Sequence, residues 1–146
     1  MLDSLHTAIA TAAEWNSARS IIESAWDQPE LRSEAATREA VEAVLDARDR
    51  GVLRCAAPGE GDWIVNEWVK KAVVLYFPMR EMKVEEVGPF QFHDKMALKK
   101  NHAEAGVRVV PHAIARHGAF LGNGVVMMPS YVNIGAWVGP GTMVDT

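Results

Sequence analysis

The sequence predicts an α+β fold in which a mainly helical N-terminal domain, residues 1–106, leads into the first coils of a parallel β-helix, residues 107–146. Two observations support this division. In the first part, apolar residues recur at steps of three and four, as they do on one face of an amphipathic helix. From residue 114 onward, large apolar residues recur every six positions. That period is typical of neither a helix nor a single strand, but of a parallel β-helix.

The N-terminal domain contains several segments with helical periodicity. The first is "LDSLHTAIATAAEW" (residues 2–15), and the second is "SARSIIESAWDQPE" (residues 17–30), which a proline interrupts. The clearest is "TREAVEAVLDARDRG" (residues 37–51), with Thr37 predicted as its N-cap and Gly51 as its C-terminal cap. Its predicted buried side is formed by Val41, Val44, Leu45 and Arg48.

The remainder of this domain shows weaker patterns. Two apolar runs around the turn "APGEGD" predict a small hairpin over residues 52–66. The segment "EWVKKAVVLYF" predicts a helix that Pro78 ends. Beyond it, "VEEVGPFQFHD" is typical of a loop or irregular strand, and "KMALKKNHAEAG" of a short helix closed by Gly106.

The six-residue repeat predicts which side chains fill the β-helix. The first places hold Ile114, Phe120, Val126, Val132, Val138 and Val144, and the fifth places hold Gly118, Gly124, Ser130, Ala136 and Thr142. We expect the first places to point inward and the small fifth places to lie near the corners. Residues 114–146 make fewer than two coils of about eighteen residues, and about three repeats are needed for stability. The chain is therefore expected to be truncated, the front part of a longer protein.

Composition limits the possible partners. The chain has 15 Lys and Arg against 19 Asp and Glu, a net charge of -4, with its basic residues scattered, which argues against nucleic acid. The N-terminus lacks the basic region of a secretory signal, and no apolar run approaches the roughly 18 residues of a membrane helix. A single cysteine, Cys55, is typical of a structural thiol in a reducing compartment. These features predict a cytoplasmic protein.

Several segments, in order, carry a resemblance to one family. They are "TREAVEAVLD", "GVLRCA", "EWVKKAVVLYF" and "GVRVVPHAIARHGAFLGNGVVMMPSYVNIGAWVGPGTMVDT". Together they resemble the N-terminal half of tetrahydrodipicolinate N-succinyltransferase, from about residue 37 to the end. Residues 16–35 look longer than the family pattern, and residues 92–105 look shorter.

The resemblance implies a left-handed β-helix, a homotrimer and a reaction of lysine and diaminopimelate biosynthesis. In that reaction succinyl-CoA, a co-substrate, gives its succinyl group to the amine of L-2-amino-6-oxopimelate, and no cofactor stays bound. Arg108, in "GVRVVP", matches the arginine that grips a substrate carboxylate. Asp145, in "MVDT", matches the aspartate that meets the substrate amine and is implicated in catalysis. The second catalytic acid and the CoA site are expected beyond Thr146, so the isolated chain is predicted to be inactive.

Three alternatives remain open on the sequence. The acetylating branch of the same pathway also uses a hexapeptide enzyme, with acetyl-CoA as donor. The spacing of His112 and His117 is similar to that of zinc ligands in γ-class carbonic anhydrases, although a third histidine at a suitable distance is missing and no metal is predicted. The chain could also be a non-enzymatic trimerising module.

Overall fold

The computed structural model describes residues 12–146, which form three helices and eleven strands. The helices are α1 (Ala12–Asp27), α2 (Ala35–Asp49) and α3 (Glu67–Tyr76), with 3-10 turns at Pro29–Ser33 and Phe77–Met79. The first four strands are β1 (Ala56–Pro58), β2 (Trp63–Val65), β3 (Lys83–Val87) and β4 (Phe90–Asp94). Seven two-residue strands follow: β5 (Arg108–Val109), β6 (Ile114–Ala115), β7 (Phe120–Leu121), β8 (Val126–Met127), β9 (Tyr131–Val132), β10 (Trp137–Val138) and β11 (Met143–Val144). An α+β fold with a helical first part is therefore confirmed.

The three helices pack around one apolar core. The predicted face of α2 is confirmed, since Val41, Val44, Leu45 and Arg48 are all buried. The predicted helix α3 is also present, and its buried residues are Trp68, Val69, Ala72, Val73, Leu75 and Tyr76. The end of the first predicted helix lies in α1, which continues unbroken through the second to Asp27. The rest of that first segment, up to residue 11, lies outside the described residues.

The predicted cap of α2 is wrong. The helix begins at Ala35, so that Glu34 occupies the N-cap position. Thr37 is instead buried within the first turn, where its hydroxyl donates to the Leu31 carbonyl at 2.8 Å. The hydroxyl thus joins the 3-10 turn to α2. Gly51, with a φ of +79°, follows the helix as predicted.

Two antiparallel hairpins are present, one between α2 and α3 and one between α3 and the coils. The predicted hairpin is confirmed as the β1–β2 pair. The weakly patterned segment forms a second hairpin, β3–β4, closed by a two-residue loop in which Gly88 has a φ of +58°. The predicted helix over residues 95–106 is wrong. The segment contains turns and one bridge, and Asn101 has a φ of +60°, which a right-handed helix does not accommodate.

The seven short strands stack in parallel as three small sheets, ordered β5–β8–β11, β6–β9 and β7–β10. Val109 pairs with Met127, 18 positions along the chain. Met127 pairs with Val144, 17 positions further. The strands form three faces, and the chain returns to the same face after 17 or 18 residues. This arrangement fits a partial β-helix.

The predicted inward register is correct in the second coil and wrong in the first. Val132, Val138 and Val144 pack against the interior of the coils as predicted. In the first coil the interior is filled by the next residue along each strand: Ala115, Leu121 and Met127 are at most 3% exposed. Ile114, Phe120 and Val126, all predicted inward, are only half-buried and lie on the outer side.

A short corner between the two coils causes this change of phase. Most corners place one residue at positive φ three positions before an inward residue: Gly106, His112, Gly118, Gly124, Gly135 and Gly141. Inward Met127 and Val132 are only five positions apart, and no residue between them has positive φ. One residue is therefore missing from this corner, so an unbroken count of six assigns the first coil to the wrong face.

Two of these corner glycines offer a matched test. A Cβ added to Gly118 would lie 2.6 Å from the Leu45 side chain and 3.0 Å from Ile134, both of which are buried. A Cβ on Gly141 would meet nothing within 4 Å, although the φ of Gly141, +71°, is similar to that of Gly118. We expect Gly118→Ala to lower the free energy of unfolding by about 3 kcal/mol and Gly141→Ala by about 1 kcal/mol, in urea denaturation. Equal losses would show that backbone conformation alone requires glycine there.

The helical part packs directly on the coils. Arg48 of α2 is fully buried and donates to the carbonyls of Gly135 and Ala136, the latter at 2.9 Å. The Arg54 guanidinium carbon lies 3.8 Å from the ring centroid of Trp137, a cation–π contact within the chain. The domain boundary at residue 106 stays a prediction. In residues 12–146, no helix has the length and apolar character needed to cross a membrane.

Candidate functional site

The candidate site is the outer face of the sheet β5–β8–β11. Residues that flank the inward positions 109, 127 and 144 point outward, because side chains alternate along a strand. The pairing places Arg108, Val126 and Met143 in one row across the three strands. The next row contains Val110, Met128 and Asp145. We call this six-residue surface the outer patch.

The two predicted site residues lie at opposite corners of the outer patch. Both Arg108 and Asp145 are exposed, and a strand spacing of ~4.8 Å with two residues along the strand separates their Cα atoms by about 12 Å. A carboxylate oxygen of Asp145 accepts the Thr146 N–H at 2.9 Å and leaves the other oxygen free of hydrogen bonds in residues 12–146. The patch therefore offers one cation and one anion on the same side of the molecule.

The surface between these charges is apolar. Val110, Val126 and Met128 are half-buried, and Met143 is 62% exposed. The sequence prediction missed these residues, because it placed Val126 inside the coil and considered only the first and fifth places of each repeat. The pairing register reveals them, because the interval of five positions between inward Met127 and Val132 shifts the phase of the six-residue count.

The histidines suggested as zinc ligands do not converge. The His112 ring contacts Phe90 edge-on, with centroids 5.1 Å apart. His117 Nε2 lies 3.0 Å from a carboxylate oxygen of Asp46, and its Nδ1 lies 3.4 Å from Asp49. Over residues 12–146 no three His, Cys, Asp or Glu side chains are placed to hold a metal ion. A metal-dependent reaction thus receives no support from these two residues.

The contacts of His117 belong to a cluster that fixes α2 to the coil. One carboxylate oxygen of Asp49 lies 2.8 Å from the ammonium of Lys99, a side chain that is nearly buried. The same oxygen of Asp49 accepts the Gly118 N–H at 2.9 Å. Burial, followed by the charge of Lys99, lowers the pKa of His102 nearby. The contacts of His117, Asp49 and Lys99 therefore have a structural role, because they hold α2 against the coil. Cys55 is half-buried beside the helical core, as expected for a structural thiol.

A helical part that leads into parallel coils, with charged residues on an outer face, fits the class of hexapeptide-repeat proteins. Residues 17–79 match the family described as "Tetrahydrodipicolinate N-succinyltransferase N-terminal". The resemblance predicted from the sequence is confirmed: residues 17–79 are similar to the N-terminal domain of this family, and the relatives below extend the similarity to 75–89% of the chain.

Curated relatives agree with the family match. The chain is 50% identical over 115 residues to a protein of Acinetobacter baylyi, an alignment that covers 75% of this chain and 42% of the relative. It is 48% identical over 142 residues to one of Polynucleobacter asymbioticus (89% and 52%), and 52% over 116 residues to one of Idiomarina loihiensis (75% and 42%). All three are named 2,3,4,5-tetrahydropyridine-2,6-dicarboxylate N-succinyltransferase. The chain spans about half the length of these relatives.

Proposed function

We propose that this chain forms part of an N-succinyltransferase that moves the succinyl group of succinyl-CoA to the amine of L-2-amino-6-oxopimelate. The observation that carries the proposal is the position of Arg108 and Asp145 on one outer face of the same sheet. The similarity to relatives with this name supports the choice of reaction. A left-handed winding of the coils, a homotrimer and a cytoplasmic location are part of the same proposal.

The outer patch matches the shape of this acceptor. The substrate is an aliphatic chain with a carboxylate at each end and an amine next to one of them. A guanidinium offers two parallel donors to a carboxylate, so Arg108 would hold the end remote from the amine. The methylene groups would lie on Val126 and Met128, and the amine would reach Asp145. The apolar strip therefore sets the distance between the two charged contacts.

Asp145 would act on the amine before the transfer. An ammonium has no lone pair and cannot attack a thioester, so it must first lose a proton. A carboxylate beside it orients the ammonium and can help to accept that proton. The free amine then forms a C–N bond with the succinyl carbonyl carbon, the C–S bond breaks, and CoA leaves as a thiol after protonation. Succinyl-CoA is a co-substrate here, and no bound cofactor is required.

The remaining walls of such a site must come from other residues, because the outer patch is open to solvent. Arg108 and Asp145 are both exposed, so neither would be desolvated by this chain alone. In a homotrimer a neighbouring protomer would cover the patch and strengthen its electrostatic contacts. The proposal thus joins assembly and activity.

The donor is tested by comparing succinyl-CoA with acetyl-CoA in the gene product that contains this sequence. Released thiol reports the rate, with L-2-aminopimelate, which lacks the keto oxygen, as a stable acceptor. We expect kcat/KM to favour succinyl-CoA by at least about a hundredfold. A preference for acetyl-CoA would establish the acetylating alternative instead, and absence of transfer from either donor, in a folded gene product, would contradict both.

The apolar strip gives a separate prediction. Met128→Ser removes the apolar contact under the acceptor chain, and we expect KM for the acceptor to rise about tenfold while kcat changes little. Met82→Ser, at a methionine that is 51% exposed and distant from the sheet β5–β8–β11, is the matched control. An unchanged KM in Met128→Ser would remove this residue from the acceptor site.

A further inference from the structure

A second concave site lies on a different side of the coils from the outer patch. It is a cleft of about 220 Å³ between the β3–β4 hairpin and the outer side of β6 and β9. The hairpin contributes Lys83, Phe92 and Asp94, and the coil contributes Ile114 and Tyr131. The cleft is below the ~300 Å³ of the smallest usual ligand pockets, so it fits only a small molecule.

The floor of the cleft is held by backbone hydrogen bonds. Residues 95–98 line the cleft, and Leu98 forms an antiparallel bridge with Arg116 of the first coil. The Lys99 N–H donates to the Ala115 carbonyl at 2.8 Å, and the His117 N–H donates to the Ala97 carbonyl at 2.9 Å. These bonds fix the segment to the coil on both sides of the bridge. The cavity is therefore formed by the fold and does not depend on side-chain rotamers alone.

One pair of charges in the cleft is already satisfied. The Arg116 guanidinium donates to Asp94 at 2.8 Å and to Asn133 at 3.2 Å. Partial burial favours the neutral carboxyl of Asp94, but the N–H groups of Lys95 and Met96 and the charge of Arg116 together hold its pKa below the ordinary value. Asp94 thus stays ionised, and Arg116 is neutralised by it.

The other charges leave a surplus of cations around the opening. Arg80, Lys83 and Lys95 line the cleft with one further carboxylate, Glu85. Within residues 12–146, neither Arg80 nor Lys83 makes an ion pair, and the Arg80 guanidinium lies 5.5 Å from the centroid of the Tyr76 ring. In a chain with a net charge of -4, this opening is locally positive and favours an anion.

We propose that this cleft binds a small organic carboxylate with a flat apolar body. The apolar body lies between Phe92 and Ile114, against the ring of Tyr131, and the carboxylate lies at the opening near Lys83 and Arg80. An aromatic or short aliphatic body would make apolar contacts with the walls of the cleft, and the carboxylate would pair with the cations at its opening. This site shares no residue with the outer patch, so its assignment does not rest on the proposed transferase reaction.

Benzoate is a suitable probe, and benzamide is its neutral analogue of the same shape. The purified protein is titrated with each, and amide and side-chain NMR shifts are followed for Phe92, Leu98 and Tyr131. We expect saturable shifts at these residues with benzoate, and binding of benzamide at least about tenfold weaker. Lys83→Ala should weaken benzoate about tenfold, whereas Lys70→Ala, at an exposed lysine of α3, should leave it unchanged.

Several results would overturn the proposal. Equal binding of benzoate and benzamide would show that the cations do not recognise the ligand. Shifts confined to other surfaces, or none at all, would show that the cleft is closed or covered by another copy of the chain. Unchanged benzoate binding in Lys83→Ala, together with an unchanged amide spectrum for the rest of the protein, would exclude the proposed placement of the carboxylate.

Discussion

Replacing Arg48 by methionine is expected to lower the free energy of unfolding by about 3 kcal/mol. The side chain is fully buried in α2 and donates to three backbone carbonyls, those of Leu53, Gly135 and Ala136. Methionine fills a similar volume but donates no hydrogen bond. The substitution therefore removes three hydrogen bonds and leaves the carbonyls of Leu53 and Gly135 unpaired within residues 12–146, whereas the Ala136 carbonyl still accepts the Phe120 N–H at 3.0 Å.

Two opposing effects decide the size of this loss. Burial disfavours the charged guanidinium and lowers the pKa of Arg48, so removing it relieves a desolvation cost of several kcal/mol. Against this, each hydrogen bond from a charged donor contributes ~1.5–3 kcal/mol, and each carbonyl left unpaired costs ~1–3 kcal/mol. With three hydrogen bonds lost and two carbonyls left unpaired, the second effect is the larger.

Urea denaturation measures the loss, and Arg50→Met is the control because Arg50, the C-cap residue of the same helix, is exposed. Arg48→Lys should lie between the wild type and Arg48→Met, since an ammonium cannot reach all three carbonyls in the geometry of a guanidinium. A stability equal to wild type in Arg48→Met would mean that desolvation cancels the hydrogen bonds.

Arg48 also shows what the sequence could and could not predict. Its place on the apolar side of α2 followed from helical spacing, and the structure confirms that it is buried. Its acceptors, Gly135 and Ala136, lie in the second coil, and no local pattern relates residues so far apart in the chain. Periodicity identifies the buried face of an element, but the groups that satisfy a buried charge depend on tertiary packing.

The candidate site was predicted in part for a similar reason. Arg108 and Asp145 were identified by resemblance, and the six-residue period correctly indicated stacked parallel strands. The phase of that period depends on corner length, and the short corner between Met127 and Val132 could not be recognised from a count of six. For that reason the sequence placed Val126 inside the coil, where the structure has it beside Arg108 on the outer face.

Replacing Asp145 by asparagine is expected to reduce kcat by about a hundredfold to ten-thousandfold in the gene product that contains this sequence. Asparagine preserves the shape of the side chain and the oxygen that accepts the Thr146 N–H, so the local backbone should not change. In the proposed reaction, it removes the negative charge that would orient the ammonium and the group that would help to take its proton. The assembly state, measured by sedimentation, should be unchanged.

The matched control is Glu60→Gln, which makes the same chemical change at an exposed position in the β1–β2 turn, away from the sheet β5–β8–β11. We expect kcat in this control to equal that of the wild type. The Asp145→Asn variant should also become more active at higher pH, because a larger fraction of the free amine then forms without help from the protein. A near-normal kcat in Asp145→Asn would remove this carboxylate from the mechanism, since the geometry of the outer patch would then serve binding alone.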